Sequence, residues 1–350
     1  MLRRWILVAL TAVGAGGCSD ALEQTSSAGQ VIAVVDSGDQ TLALVSARDF
    51  TVSMRSWQAP SRPTPGTIDG RGNIFLVPLG HADAVGVNVL LPPCRDLCPQ
   101  SDFVLSLASG SGATGVAIQD DSIAWVANPG LNTVTRVNYQ SADTSSVLVG
   151  TYPQAVAIAG TRVFVVNSNL VSGTPAGPSW LTSFDCCSPI TSVDSIPLTG
   201  SNARFALVGD DSMLYIVASG HSGRADGKLS IVDPKARMEI AVLNGLGESP
   251  GAAAFHPSGR LLISSLTEGI LEVYTLTKSL TLGPGKGIKP GGKGVSGLAV
   301  DLRGRVYAVD PGNCAAAGTV HVLNAPPDYG EIHTVAVGVC PTTAAVAATP

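Results

Sequence analysis

TGVAIQDDSIAWVANPGLNTVTRVN, running from Thr114 to Asn138, holds three short apolar runs separated by turn-forming residues. The runs are TGVAI, IAWVAN and TVTRVN, and the breaks between them are QDDS and PGLN. Runs of five or six residues rich in Val, Ile and Thr, bounded by Asp, Asn, Pro and Gly, read as β-strands joined by tight turns. A looser fourth run, SVLVG from Ser146, completes the unit.

The unit recurs along the chain. First runs open at Pro65 (PGTI), Thr114, Pro153 (PQAVAI), Ala203 (ARFALV), Pro250 (PGAAAF), Val295 (VSGLAV) and Pro341 (PTTAAVA), spaced 39 to 50 residues apart and about 46 on average. Second runs follow roughly ten residues later, among them IFLVPL from Ile74, VFVVN from Val163, LYIVAS from Leu214, LLISS from Leu261 and VYAVD from Val306. KLSIVD from Lys228, ILEVYT from Ile270 and TVHVLN from Thr319 are third runs, and IHTVAVG from Ile332 is a fourth. Four short strands in 40–50 residues describe one blade of a β-propeller, a sheet that buries its faces only against neighbouring copies. β-Branched enrichment and frequent Gly and Pro oppose a helical repeat.

The two ends of the chain supply complementary pieces. VIAVVD (Val31), TLALVS (Thr41) and FTVSM (Phe50) are second, third and fourth strands lacking a first, and Pro341–Ala348 is a first strand with nothing after it. Joined, they make one blade. The expected fold is therefore all-β: a seven-bladed β-propeller of four-stranded blades, residues 31–350, whose last blade is closed by N- and C-terminal strands. Closure also removes the open sheet edges that template aggregation.

Composition agrees with many strands and turns. Of 350 residues, 40 are Gly and 23 Pro, only 13% are charged, and 21 basic against 26 acidic residues leave a net charge of −5. A nucleic-acid partner is excluded on charge, because phosphate binding calls for a basic surface. The hydrophobic content of 45% excludes a disordered chain.

Arg3 and Arg4, the apolar stretch from Trp5 to Val13, and small residues up to Cys18 describe an export signal, residues 1–17. AGAGGC resembles the lipobox of bacterial lipoproteins, with Ala15 where that family prefers Leu. The resemblance implies lipidation of Cys18, and Ser19 after it implies onward sorting to the outer membrane, facing the periplasm or cell surface. Polar residues 18–30 then read as lipidated Cys and tether. Loss of the signal leaves 19 basic against 26 acidic residues, so the expected membrane attachment is through acyl chains.

WVANPGLNTVTRVN (Trp125–Asn138) with GTYPQAVAIAGTRVFVVN (Gly150–Asn167) resembles the YVTN family of β-propeller repeats, and VYAVDPGN (Val306–Asn313) resembles the related NHL repeat. The resemblance implies a propeller in an extracytoplasmic setting and leaves the chemistry open, since such folds host enzymes, cofactor binders and scaffolds.

Six cysteines remain besides Cys18, an even number that suggests disulfides in an exported chain. Cys314 follows a second strand and Cys340 a fourth; those two kinds of loop share a face, so a Cys314–Cys340 bridge is expected. Cys94 and Cys98 share one loop and most simply bridge each other. Cys186 and Cys187 are adjacent, forming a vicinal bridge or separate cross-links.

Asp36, Asn128, Asn167, Ser219 and Asp310 end second strands. One reading gives them turn-stabilising hydrogen bonds; the other places them around a channel mouth, where Asp36 and Asp310 would hold Ca²⁺. His81 and His221 lie in loops at the same end. No nucleophile–base pair and no GxSxG elbow occurs in the sequence. GIKPGGKG (Gly287–Gly294) approaches a phosphate-binding loop, but Gly294 stands where Ser or Thr is needed and a strand follows in place of a helix; with Lys286, Lys289 and Lys293 it makes a small basic loop. The expected function is a monomeric binding or scaffold module for a protein or carbohydrate partner, without a cofactor. The alternatives are a Ca-type hydrolase or lactonase and, more remotely, a quinone-cofactor oxidoreductase, some of which carry a vicinal cysteine pair.

Overall fold

In a computed structural model of the chain, the described residues are 29–56, 66–72, 74–80, 87–90, 103–187, 189–275, 277, 279–280 and 287–348. They form seven four-stranded antiparallel sheets, one two-stranded hairpin and a single 3-10 turn at Pro290–Gly292. The residues assigned to the signal and tether up to position 28, including Cys18, lie outside the described residues, as do His81, Cys94, Cys98 and Lys286.

Numbered along the chain, the first sheet combines Pro341–Ala348 with Gln30–Asp36, Thr41–Ser46 and Val52–Ser56. Val34 pairs with Ala344 and Gln30 with Ala348, so the last described strand sits beside the first. The remaining sheets follow sequence order and begin at Asp69–Arg71, Gly115–Ile118, Pro153–Ala159, Ala203–Val208, Pro250–His256 and Gly297–Val300.

Burial within each sheet is graded. Ile123–Asn128 and Val306–Asp310, both second strands, are buried along their whole length, whereas the fourth strand Thr144–Leu148 is largely exposed. A second strand is covered on both faces and therefore reads as a continuous apolar run; the outer strand Asp194–Ser201 alternates instead. Seven apolar clusters fill the spaces between neighbouring sheets. Trp125 and Ala117 of the third sheet meet Val163, Val165 and Phe184 of the fourth. Ile32, Val34 and Ala43 of the first sheet meet Tyr307, Val309 and Val320 of the seventh. Each sheet thus packs on two others, the seventh on the first included.

At the third sheet the first strands converge so closely that glycine is required. A Cβ on Gly115 would lie 2.1 Å from the Gln154 carbonyl oxygen of the next sheet. The second sheet departs from expectation here. Its first strand is Asp69–Arg71 rather than a run from Pro65, and Thr67 makes only an isolated parallel bridge to Gly115. Asp69 compensates by accepting the Ile118 N–H of the third sheet at 2.7 Å, which satisfies a donor across the gap.

The loops after second strands and the connections that lead into first strands share one face, where they bond to each other. Val149 N–H donates to Asn132, Gly227 N–H to Gly247 and Val295 N–H to Ser265, each joining one sheet's loop to the connection into the next sheet. Cys314 and Cys340 make the same junction covalently, from the seventh sheet to the first, and bear out the expected bridge. A short hairpin not anticipated from sequence, Leu170–Val171 with Thr174–Pro175, also rises from this face.

Candidate functional site

Seven strands that approach one another at one place leave a cavity between them, and its lining comes from their first residues. The cavity has a volume of about 240 Å³ and is lined by Gly66, Gln154, Arg204, Gly251, Ser296 and Thr342, among others. These six occupy the same step of the repeat, the second residue of each first run. Five are small or uncharged and one is an arginine. Thr67, Ser249 and Thr343 add hydroxyls, and Phe205, Leu266 and Val295 add apolar surface; among the described residues no carboxylate lines the cavity.

Arg204 is exposed along the cavity, and desolvation by the surrounding protein pulls its guanidinium below the usual arginine range. It remains cationic at neutral pH. Among the described residues it has no ion pair, and the Tyr152 phenol is the titratable group that acts on it. The Thr67 hydroxyl is buried and also lacks a hydrogen-bond partner. A second cavity, between turns of the fourth and fifth sheets, contains Arg162, Lys235 and Arg237. There Asp194 binds Arg162 at 2.5 Å and Arg237 at 2.8 Å, so two of the cations already have a partner.

The residues singled out from sequence at the ends of second strands lie elsewhere than in the lining of the first cavity. Asn128 donates to the hydroxyls of Thr135 at 2.7 Å and Thr133 at 3.2 Å, within its own sheet. Asn167 accepts the Gly150 N–H at 2.9 Å and donates to Thr182 at 2.9 Å. Ser219 donates to the Pro250 carbonyl of the next sheet at 2.7 Å. Of these, Asn167 accepts a backbone N–H, as the turn reading has it, whereas Asn128 and Ser219 donate across strands.

Asp36 and Asp310 differ from each other. Asp36 is fully buried, accepts from the Thr41 hydroxyl at 3.1 Å, and is pushed up to about 7 by burial, with Asp39 adding repulsion. Asp310 accepts the Gly312 N–H at 2.8 Å and lies 3.8 Å from His321 Nε2, whose Nδ1 is 2.6 Å from Glu331. His221 is held by Asp226: Nδ1 lies 2.7 Å from the carboxylate, which also accepts the His221 N–H. His256 ends a first strand and bonds Ser258 and the Gly304 carbonyl.

The vicinal cysteines carry free thiols with Sγ atoms 2.8 Å apart, rather than a bridge. Among the described residues Asp185, Cys186 and Cys187 are the group of three whose ligand atoms lie close enough to share a metal ion, and Cys187 is exposed. The GIKPGGKG loop forms a 3-10 turn, with Ile288 bridged to Ile270, in place of a phosphate-binding helix.

Arg204 was legible only by lining up the repeats. In isolation ARFALV reads as an ordinary strand start; beside TGVAI, PQAVAI, PGAAAF and PTTAAVA it is a charge where the other units place none.

Comparison with solved structures identifies the architecture. The chain is similar to a protein of Desulfotomaculum acetoxidans described as functionally unknown (TM-score 0.64, 13% identity, 91% of this chain and 99% of that one). It is similar to AztD from Citrobacter koseri (TM-score 0.60, 10% identity, 91% and 97%) and to Kuenenia stuttgartiensis hydrazine synthase (TM-score 0.59, 12% identity, 83% and 92%). These likenesses show a β-propeller-like fold. No protein-family model and no curated protein sequence matches the chain.

Proposed function

We propose that the seven sheets are the blades of a closed seven-bladed propeller of the YVTN kind, exported and held at the outer membrane by a lipid on Cys18. In this reading the protein is a monomeric binding or scaffold module for a protein or carbohydrate partner. The observation that carries it is the stitching of the loop face. Hydrogen bonds fix the loops of the third, fifth and sixth sheets to the connections beside them, and the Cys314–Cys340 disulfide does so for the seventh, so a partner meets a surface already ordered there and loses little conformational freedom on binding. Residues of this face with free side chains, such as exposed Val171 on the added hairpin, supply apolar contact.

Crosslinking in intact membranes, followed by purification of the protein, tests the binding role. A discrete adduct that disappears when Leu170–Pro175 is replaced by a Gly-Ser turn is expected. Turnover of an ester or lactone that is lost in Asp36→Ala or Asp310→Ala, without any adduct, would replace this reading with a hydrolase. The anchor is tested separately: Cys18→Ser is expected to move the protein from the membrane to the soluble fraction.

A further inference from the structure

We propose that the cavity between the first strands binds a small hydroxylated monocarboxylate, the class that includes hydroxy acids and uronic acids, with Arg204 as the group that holds its carboxylate. The inference goes beyond the partner-binding role and does not depend on the membrane anchor.

Arg204 carries the one charge in the described lining. A guanidinium that faces a cavity with no ion pair is free to take an anion, and that pairing gains strong, charge-assisted hydrogen bonds. Arg204 is exposed along the cavity, and among the described residues no carboxylate belongs to the lining. Its planar fork matches a carboxylate in a two-point geometry. One cation neutralises one negative charge, so a carboxylate is balanced, whereas the phosphate dianion keeps a second charge for which the described lining offers no cation.

The rest of the lining describes the rest of the ligand. Gln154 offers an amide from the first strand of the fourth sheet, and Ser249 a hydroxyl from the connection into the sixth. Ser296 is not free for this purpose, because its hydroxyl donates to Pro341 O at 2.9 Å and to Val309 O at 3.2 Å. Unpaired hydroxyl and amide groups select a ligand that carries hydroxyls, since an apolar body would leave them unsatisfied. Phe205, Leu266 and Val295 accommodate its carbon skeleton. A volume of about 240 Å³ lies below the usual range of ligand sites, roughly 300 to 1,000 Å³, and so limits the ligand to a single small molecule.

The test is calorimetric titration of the purified protein in chloride-free buffer with D-glucuronate, lactate, acetate, glucose and inorganic phosphate. Saturable binding of glucuronate or lactate is expected, with glucose and phosphate at least tenfold weaker. Arg204→Gln is expected to weaken carboxylate binding at least tenfold and Arg204→Lys to retain part of it. Gln154→Ala is expected to weaken glucuronate more than acetate, which separates the hydroxyl contact from the charge. A thermal melt of each variant confirms folding; if Arg204→Gln does not fold, the Gln154→Ala and Ser249→Ala variants decide. Absence of saturable carboxylate binding up to about 10 mM, a range that still reports weak millimolar association, overturns the proposal. Binding unchanged in Arg204→Gln, or phosphate tighter than both carboxylates, overturns it too.

Discussion

Cys314 and Cys340 place their Cα atoms 4.3 Å apart and join the seventh sheet's loop to the connection that leads into Pro341–Ala348. The bridge closes a loop with a sequence separation of 26, for which chain-entropy arguments give a stabilisation of roughly 3–4 kcal/mol. The Cys314→Ser/Cys340→Ser double variant is expected to lose about that much in denaturant unfolding. Adding reductant should lower the melting temperature of the parent protein and leave that of the double variant unchanged.

The opposite face of the same junction is held by charge. Asp301 is buried and accepts from Arg305 Nε at 2.6 Å, from the Arg303 and Arg305 N–H groups at 2.9 Å and from the Tyr307 hydroxyl at 3.1 Å. Arg305 reaches on to the Ala47 carbonyl of the first sheet and lies over the Phe50 ring. Asp301→Ala leaves the arginine without its counter-charge, and breaking a buried pair from one side costs about 3–5 kcal/mol. Chemical denaturation is expected to show a loss of that size, whereas Asp121→Ala, at an exposed pair with Arg71, should stay within about 1 kcal/mol of the parent.

Asp36 makes stability depend on pH. Its carboxyl is pushed from an ordinary 3.8 up to about 7 by burial. Across that window the folded protein keeps a proton that the unfolded chain has released. The contribution is therefore fully present below the unfolded value and lost as pH rises through about 7. Asp36→Asn removes the dependence while keeping an acceptor for Thr41. Relative to the parent, the variant is expected to gain stability steadily between pH 4 and pH 8, read as the difference between two melting-temperature curves; parallel curves would refute the assignment.

Burial also separates the adjacent thiols. It pushes Cys186 up to about 12, with Cys187 and Asp185 beside it raising it further, whereas Cys187 is exposed. Thiolates react and thiols do not. Brief alkylation of the reduced protein at pH 8, followed by peptide mass analysis, should find Cys187 modified well ahead of Cys186.

The repeat was readable because each second strand is covered on both faces and so must be apolar throughout; IAWVAN, LYIVA and VYAVD carry that constraint in their composition. Cys314 and Cys340 were readable because strand order alone puts their loops on one face. Partners set by register were not. Asn128 looks like a turn residue until Thr135 is seen one strand away, and His221 looks solvated until its loop folds Asp226 back onto it. The weak second unit misled for a physical reason: Asp69 supplies across the gap a hydrogen bond that a longer first strand would have made. Arg204 is non-local in the same sense, since its isolation comes from strands gathered from the whole chain.

The pairing of Gln30–Asp36 with Pro341–Ala348 has a consequence for synthesis. Ser37 bonds Cys340 across a separation of 303 positions, so Gln30–Asp36 must wait for a strand made some three hundred residues later. Until then its inner edge has no partner, and contacts of such long range form slowly. A chain emerging residue by residue thus exposes an open sheet edge until Pro341–Ala348 has been made. Export in an unfolded state, followed by folding once the whole chain is present, would spare it that interval.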